Sequence, residues 1–390
     1  MFTLTKFRIS KFSHYLLLIY LFCYISGPAV INIYLTILSI ISLFYMKNFS
    51  KTDYPIIFFF IFLFYILIRD LFIGTFNYDY ISFIRFFLIF FLLNKFKEQI
   101  FIKSKILYFL IILFIFDTIF QYTFGYNLFG FQKFGHDRLT SFFDDEPIIG
   151  SFLMKFLVIY VTYFFFTNNF SILNLLLIFS IYVCIFISGE RMAFIQSSMV
   201  ISLIFFLKLI DNFSNNKKLI ILFIVAFSVF IALVPKDRYL VKTKYEIINV
   251  VNNGIDIKQN SISDYLLNFK SGYDLWKLKP IFGNGYRYYN TSCKKVITNH
   301  IIKKGCSTHP HNIAIETLSD HGIVGLILLY LFFSSLFFKS YSKFKLNKSL
   351  YILIFSVLIF PLFTSQSIYS SYYGSIFFLF IYLLYLDRSK

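Results

Sequence analysis

Long apolar runs separated by short polar segments make up most of this chain. Twelve runs are long enough to cross a bilayer core, which takes about 20 helical residues. They lie near 13–26, 29–46, 54–69, 80–94, 104–121, 148–167, 171–188, 192–210, 218–235, 322–338, 349–366 and 372–386. The run at 80–94 is the weakest, because it is short and contains Arg85. The pattern predicts an all-α integral membrane protein with about 12 transmembrane helices.

One long polar segment interrupts this pattern. Residues 236–321 contain the single tryptophan and most of the histidines, and they separate the ninth run from the tenth. We therefore expect three parts: helices 1–9 in 1–235, a large loop with short helices in 236–321, and helices 10–12 in 322–390. The first run follows several basic residues without a small-residue cleavage site, so we expect it to remain as an uncleaved helix.

The composition supports a membrane location. Hydrophobic residues make up 58% of the 390 residues and charged residues 14%, whereas soluble domains are about 25% charged. The net charge of +18 could indicate nucleic-acid binding. The positive charge is, however, spread over small alternate loops, which favours contact with anionic lipid headgroups instead.

The distribution of Lys and Arg predicts the orientation. One set of alternate loops carries most of the basic residues, whereas the opposite short loops hold only Arg69, Lys133, Arg138 and Arg191. Cytoplasmic loops are the basic ones, so both termini are expected in the cytoplasm and the loop at 236–321 outside. Cys293 and Cys306 both lie in this loop, and an oxidising compartment would let them form a disulfide worth about 3 kcal/mol. Two free thiols are the alternative.

The stretch STHPHNIAIETLSDHGIVG, from Ser307 to Gly325, carries the first candidate chemistry. Pro310 favours an extended backbone before it, Asn312 can cap a helix beginning at residue 313, and Gly322 can break that helix. His311 then stands at the positive helix end, where phosphate oxygens bind and an imidazole can accept a hydroxyl proton. A metal site on His309 and His311 is an alternative, although no histidine pair has the i, i+4 spacing. An ordinary hydrogen-bonding histidine is another.

The short helix after Asn312 is expected to be amphipathic. Its apolar face is predicted to consist of Ile313, Ala314, Thr317 and Leu318. Glu316 and Asp320 are expected to point elsewhere.

Arginines at the outer ends of apolar runs are candidate phosphate ligands. Arg191, in FISGERMAFIQ, can bind a pyrophosphate through its planar fork, pair with Glu190 or reach lipid headgroups. Arg138, in HDRLTSFFDDEPIIGSFL, precedes an acidic turn and is a second candidate. Inside the apolar runs, Arg85 and Asp117 could pair across helices. Such buried charges keep a transporter as an alternative.

These segments together resemble the O-antigen ligases and the related O-antigen polymerases. The family pattern is His-Asn, nine residues, then Gly-x-x-Gly, and it matches His311-Asn312 followed by Gly322 and Gly325. KPIFGNGYRYY is similar to a Pro-x-x-Gly-x-Gly segment, and SGERMA to a Ser-Arg segment with Glu190 inserted. RLTSFFDDEPIIGSF resembles an Arg–Phe–Pro segment. The motifs cover about 130–330, and the topology covers the whole chain.

The resemblance implies a polytopic glycosyltransferase of the bacterial inner membrane with a large periplasmic loop. Such enzymes transfer a glycan from undecaprenyl pyrophosphate to an acceptor hydroxyl of lipid A core or of another lipid-linked glycan. They use no cofactor, nucleotide sugar or metal. Carried over by position, His311 would activate the acceptor or stabilise the departing pyrophosphate. Arg191 would hold the pyrophosphate, with Arg138 and Arg238 as weaker candidates for the same role. Independently of the resemblance, we expect Asn312, His309, Glu316, Gly322 and Gly325 to be supporting residues.

Several alternatives stay open on the sequence alone. A transporter or flippase of the lipid-linked glycan would share the helical topology, and a relative that glycosylates protein would share the motifs. Ligase and polymerase use the same donor chemistry and differ only in the acceptor. Lys270 stands where many relatives carry an arginine, and a lysine lacks the bidentate fork.

Overall fold

The computed structural model describes nine ranges of the chain. These are 15–16, 18–45, 54–95, 105–134, 138–144, 146–167, 171–210, 261–341 and 366–386. All regular elements in these ranges are helices, which confirms the predicted all-α class. The predicted run at 218–235, all but the last residue of the run at 349–366, and Arg238 lie outside the described residues.

Twelve helices with defined bounds lie in the described ranges. They are α1 (Pro28–Tyr45), α2 (Tyr54–Ile73), α3 (Asp79–Lys95), α4 (Lys105–Phe124), α5 (Ile149–Thr167), α6 (Ile172–Ile187), α7 (Arg191–Ile210), α8 (Ser261–Leu278), α9 (Tyr288–Val296), α10 (His300–Lys303), α11 (Ile313–Tyr341) and α12 (Ser371–Leu386). Helical residues 18–25 precede α1, and a short 3₁₀ turn, Ser141–Phe143, lies between α4 and α5.

Three of the described helices are long and apolar enough to cross a membrane. They are α2, α4 and the part of α11 from Ile313 to Phe338. Shorter apolar helices lie at Pro28–Phe44, Ile149–Val161, Ile172–Ile187 and Ser371–Tyr382. The weakest predicted run, 80–94, is helical as α3. The total of 12 spans and the position of the large loop remain predictions.

Aromatic rings pack the centre of the helix bundle. Phe59 of α2 stacks on Phe332 of α11 with 4.4 Å between ring centroids. Phe86 of α3 stacks on Phe378 of α12 at 4.9 Å. Large apolar side chains also cover the outside, where Phe72 is 88% exposed. Apolar residues on both the inner and outer surfaces are what helices surrounded by lipid require.

Helix α11 bends where the turn at Gly283, Asn284 and Gly285, here called the Gly-Asn-Gly turn, packs against it. Gly322 has φ 69° and ψ −171°, which are not helical values. The N–H groups of Ile323 and Val324 donate to the carbonyls of Pro280 and Ile281, at 3.0 and 3.2 Å. The carbonyls just before the turn thus replace helical hydrogen-bond partners lost at the bend. The predicted break at Gly322 is confirmed, although the helix continues beyond it to residue 341.

Replacing Gly283 by Ala is expected to destabilise the fold by on the order of 3 kcal/mol. Gly283 has φ +76°, and an added methyl carbon would lie 2.4 Å from the Asp320 carbonyl oxygen. Gly130→Ala is the matched control, because Gly130 has φ +87° with nothing within 4 Å. Thermal unfolding of the purified protein measures both variants. Equal losses for the two would show that close packing at the bend contributes nothing.

The predicted pairing of Arg85 with Asp117 is wrong. Arg85 donates to the backbone and side-chain oxygens of Asn32, at 3.0 and 3.1 Å, and to the Ser371 hydroxyl at 3.1 Å. Asp117 accepts from the Leu128 amide at 2.8 Å and from the Ser141 hydroxyl at 2.6 Å. Each charge therefore finds polar partners on elements next to its own helix, so neither needs the other.

Candidate functional site

The candidate site is built around His311, directly before α11. Asn312 caps this helix by accepting the Ile315 amide at 3.0 Å, as its sequence position predicted. His311 itself adopts φ 53°, a left-handed conformation uncommon for a residue with a side chain. Its ring centroid lies 4.1 Å from that of His309 and 5.6 Å from that of Tyr265 on α8. The imidazole is therefore held at the amino end of α11.

The segment before His311 is fixed to α8 and α9. A disulfide joins Cys293 of α9 to Cys306, with 5.6 Å between the Cα atoms. The Tyr289 hydroxyl donates to the Gly305 carbonyl at 2.7 Å, and burial raises the pKa of Tyr289 to about 12. The side-chain amide of Asn290 donates to the Thr308 carbonyl at 2.8 Å. These bonds restrain the backbone that leads into the site.

Helix α8 approaches the start of α11 very closely. An added methyl carbon at Gly272 would lie 2.4 Å from Ile315 Cγ2 and 3.4 Å from Pro310 Cβ. Only a residue without a side chain permits this distance. This close approach lies beside His311. Tyr265, which is also on α8, contacts the His311 ring.

The loop that carries Arg138 is held by polar residues of α4. The Gln121 side-chain oxygen accepts the amides of Thr140 and Ser141, at 2.9 and 2.8 Å. The hydrogen bond from Ser141 to Asp117 adds a second attachment to the same helix. Asp117, which sequence reasoning linked to transport, thus serves to position the Arg138 loop.

Glu190, in the turn between α6 and α7, is hydrogen-bonded to the start of α5. Its carboxylate accepts the amides of Gly150 and Ser151, at 2.5 and 3.1 Å, in the first turn of α5. Carboxylates are stabilised at such helix ends. Burial raises the pKa of Glu190, while Arg138 and the two amides act in the opposite direction. Arg191, the first residue of α7, is half-buried beside it.

Arg138 acts electrostatically on His311. Burial lowers the pKa of His311 from its usual value of 6.5, and the positive Arg138 guanidinium lowers it further. A cation disfavours a second positive charge nearby, so the imidazole stays neutral to lower pH. Arg138 also acts on Glu190, so this guanidinium is linked electrostatically to groups from two other segments of the chain.

The other supporting residues lie deeper in the structure. His309 is buried, and its Nδ1 lies 3.1 Å from the Thr308 hydroxyl. Glu316 is only 4% exposed and accepts a hydrogen bond from the Ser367 hydroxyl at 2.5 Å. At Gly325, an added methyl carbon would lie 2.3 Å from His321 Cβ and 3.3 Å from Tyr65, so this glycine makes room for His321 at the bend and for α2 beside it. Glu316 and Gly325 therefore support the helix packing below His311 and do not line the site.

Sequence reasoning missed a buried polar cluster at the bend of α11. Arg69 of α2 pairs with Asp70 at 2.7 Å and contacts His321 Nδ1 at 2.8 Å. It also donates to the carbonyls of Asp320 and Phe282. Asp320 in turn accepts the Tyr289 amide at 2.9 Å. The adjacent Arg-Asp pair at the end of an apolar run was the signal in the sequence, because such charges need partners.

Within the described ranges, no group of three or more His, Cys, Asp or Glu side chains lies close enough to hold a metal ion. The groups that contact His311 or act on it electrostatically are the His309 imidazole, the Tyr265 phenol and the Arg138 guanidinium. Such a set is suited to anion binding and proton transfer.

Residues 173–330 match a family model described as O-antigen ligase. The matched range includes Glu190, Arg191, α8, His311 and the bend of α11, whereas Arg138 precedes it. No curated protein matches the chain significantly. The family is membrane-embedded and implies glycosyltransferase activity of the O-antigen ligase type. Residues 173–330 are therefore similar to O-antigen ligases, the family that the sequence motifs of this chain resemble.

Proposed function

We propose that this protein transfers a glycan from undecaprenyl pyrophosphate to an acceptor hydroxyl at the periplasmic face of the bacterial inner membrane. The observation that carries the proposal is a half-buried imidazole at a helix amino end, close enough to the Arg138 guanidinium for the two to act on each other electrostatically. A neutral imidazole accepts a proton, and a guanidinium binds phosphate oxygens. Both groups are needed when a hydroxyl displaces a pyrophosphate.

The chemical step follows from these roles. The acceptor hydroxyl gives its proton to the His311 imidazole, and its oxygen forms a bond to the anomeric carbon of the donor sugar. The bond between that carbon and the pyrophosphate oxygen breaks, and the pyrophosphate leaves with the electron pair. Arg138 and Arg191 stabilise its charge, with Arg238 as a further ligand. In-line attack inverts the anomeric configuration.

The periplasmic location rests on two independent features. The basic residues favour loops on the opposite side of the membrane. The disulfide between Cys293 and Cys306 lies in the same segment as His311, and disulfides persist in oxidising compartments. The donor must therefore reach the site from the outer leaflet.

A transporter has less support. That alternative rested on Arg85 and Asp117 as buried charges with a transport role. Both have hydrogen-bond partners that account for their burial. Replacing either residue should therefore reduce the stability of the fold more than it changes the chemical step.

Arg191→Lys is expected to lower transfer by about tenfold to a hundredfold, the equivalent of one charge-assisted hydrogen bond. Lysine keeps the charge but loses the planar fork. Arg287→Lys is the matched control, because Arg287 pairs with Asp79 at 2.7 Å. Transfer rates in isolated membranes measure the effect. Wild-type activity in Arg191→Lys would mean that Arg191 only contacts headgroups or Glu190.

The function is tested by a gel of surface polysaccharide and lipid-linked glycan from a strain lacking the gene. Long chains stranded on undecaprenyl pyrophosphate, with bare lipid A core, would identify a ligase. Single repeats joined to the core without a ladder would identify a polymerase. Unchanged polysaccharide and unchanged lipid-linked glycan would contradict the proposal.

A further inference from the structure

Helix α8 carries an outward stripe of residues that no other described element covers. Leu266, Lys270, Tyr273 and Lys277 are exposed and recur at i, i+4, i+7 and i+11, which places them on one side of the helix. We call these four residues the outer face of α8. The opposite side is buried, and Leu275 is 0% exposed there.

The outer face combines an aromatic ring with two ammonium groups. The Lys277 Nζ lies 4.5 Å from the ring centroid of Tyr273, and the Lys270 Nζ lies 5.5 Å from it. Trp276 stands beside Tyr273 with 5.4 Å between ring centroids. Tyrosine and tryptophan concentrate where a bilayer meets water, and lysine side chains there reach anionic headgroups.

The chain continues from α8 into a markedly apolar, exposed segment. Leu278, Ile281 and Phe282 are each more than 50% exposed, at 53%, 57% and 55%. Three exposed large apolar side chains within five residues need an apolar environment.

The depth of this segment is set by its contacts with two membrane-spanning helices. The Phe282 carbonyl accepts from Tyr65 at 3.0 Å and from Arg69 at 3.1 Å, both on α2. Arg69 lies four residues before the end of α2 at Ile73, which corresponds to about 6 Å along the helix. The Ile281 carbonyl is bonded to α11. In the orientation predicted from the basic loops, Phe282 is therefore expected below the external end of α2, at the depth of the lipid chains.

We propose that the outer face of α8 docks on the anionic headgroup layer of the outer leaflet, with Ile281 and Phe282 inserted into the adjoining lipid chains. Two features carry this inference. Lys277, together with Lys270, which also pairs with Asp274 at 3.2 Å, complements lipid phosphates. The apolar segment after α8 is hydrogen-bonded to α2 and α11. Tyr265 of the same helix contacts His311, so docking holds the imidazole at the headgroup level. The docking itself does not depend on which reaction the site performs.

Trp276 is the only tryptophan in the chain, so its fluorescence reports on this face alone. The full-length protein is placed in vesicles of phosphatidylcholine with increasing phosphatidylglycerol and with lipids brominated at shallow or deep chain positions. We expect stronger quenching by shallow than by deep bromines. We also expect shallow quenching to rise with phosphatidylglycerol and to fall with added salt.

The lysines are tested by the double variant Lys270→Gln, Lys277→Gln. The dependence on phosphatidylglycerol is expected to fall by on the order of tenfold, since each lysine at an anionic surface contributes roughly fivefold. The matched control is Lys294→Gln, Lys295→Gln on α9, which removes the same charge from outside the face. The inference is overturned if bromines do not quench Trp276, or if quenching depends on protein density instead of lipid composition. The second result would mean that another copy of the chain covers the face.

Discussion

His311→Ala is expected to lower glycan transfer by about 10²–10⁴-fold, the usual contribution of a general base. His311 stands at the amino end of α11, where burial and the Arg138 guanidinium lower its pKa and keep the imidazole neutral. The methyl group of alanine cannot take the proton from the acceptor hydroxyl. Transfer is measured in membranes that contain equal amounts of variant and wild-type protein.

The control for this variant is His300→Ala. His300 begins the short helix α10 in the same external segment and is exposed, so its loss should leave transfer unchanged. Equal abundance of the three proteins in the membrane separates catalysis from folding. Full activity in His311→Ala would remove the assigned role of this residue.

Arg138→Gln has the second large expected effect, and it changes both donor binding and pH dependence. Loss of the guanidinium should raise the KM for the lipid-linked donor by about tenfold to a hundredfold. It should also raise the pKa of His311, because a positive charge that disfavours the imidazolium is gone. The imidazole is the active base only when neutral, so the acidic limb of the kcat profile should move to higher pH.

The pH profile separates this role from a merely structural one. Arg287→Gln removes an arginine that pairs with Asp79, and its acidic limb should match that of the wild type. His311 remains buried in Arg138→Gln, so its pKa should rise only part of the way toward the usual value of 6.5. An unmoved acidic limb, or one moved to lower pH, would contradict the electrostatic link between Arg138 and His311.

Local rules predicted the parts of the site that depend on neighbouring residues. Asn312 caps α11, and Gly322 interrupts its helical geometry, because both effects depend on backbone chemistry within a few residues. The family motifs also indicated the segments around His311, Arg191 and Arg138. The Gly-Asn-Gly turn entered the sequence analysis only through the similarity of its segment to a family motif. Its contact with the bend of α11 depends on residues nearly 40 positions later.

Long-range contacts were not predictable from periodicity. Apolar runs do not show which helices are neighbours, and for this reason Arg85 and Asp117 were paired wrongly. Asp320 was expected to point away from the apolar face of its helix, yet it is fully buried and bonded to the Tyr289 amide. Polar groups of α2, the Gly-Asn-Gly turn and α9 surround it, and only the tertiary structure brings these elements together.

The most direct test of the central claim is reconstitution of the purified protein in vesicles. The donor is undecaprenyl pyrophosphate carrying a labelled glycan, and lipid A core or a second lipid-linked glycan is supplied as acceptor. We expect the label to move to an acceptor hydroxyl, with release of an equal amount of undecaprenyl pyrophosphate, and we expect His311→Ala to stop both. Movement of the intact donor across the bilayer without cleavage of the sugar–phosphate bond would contradict it.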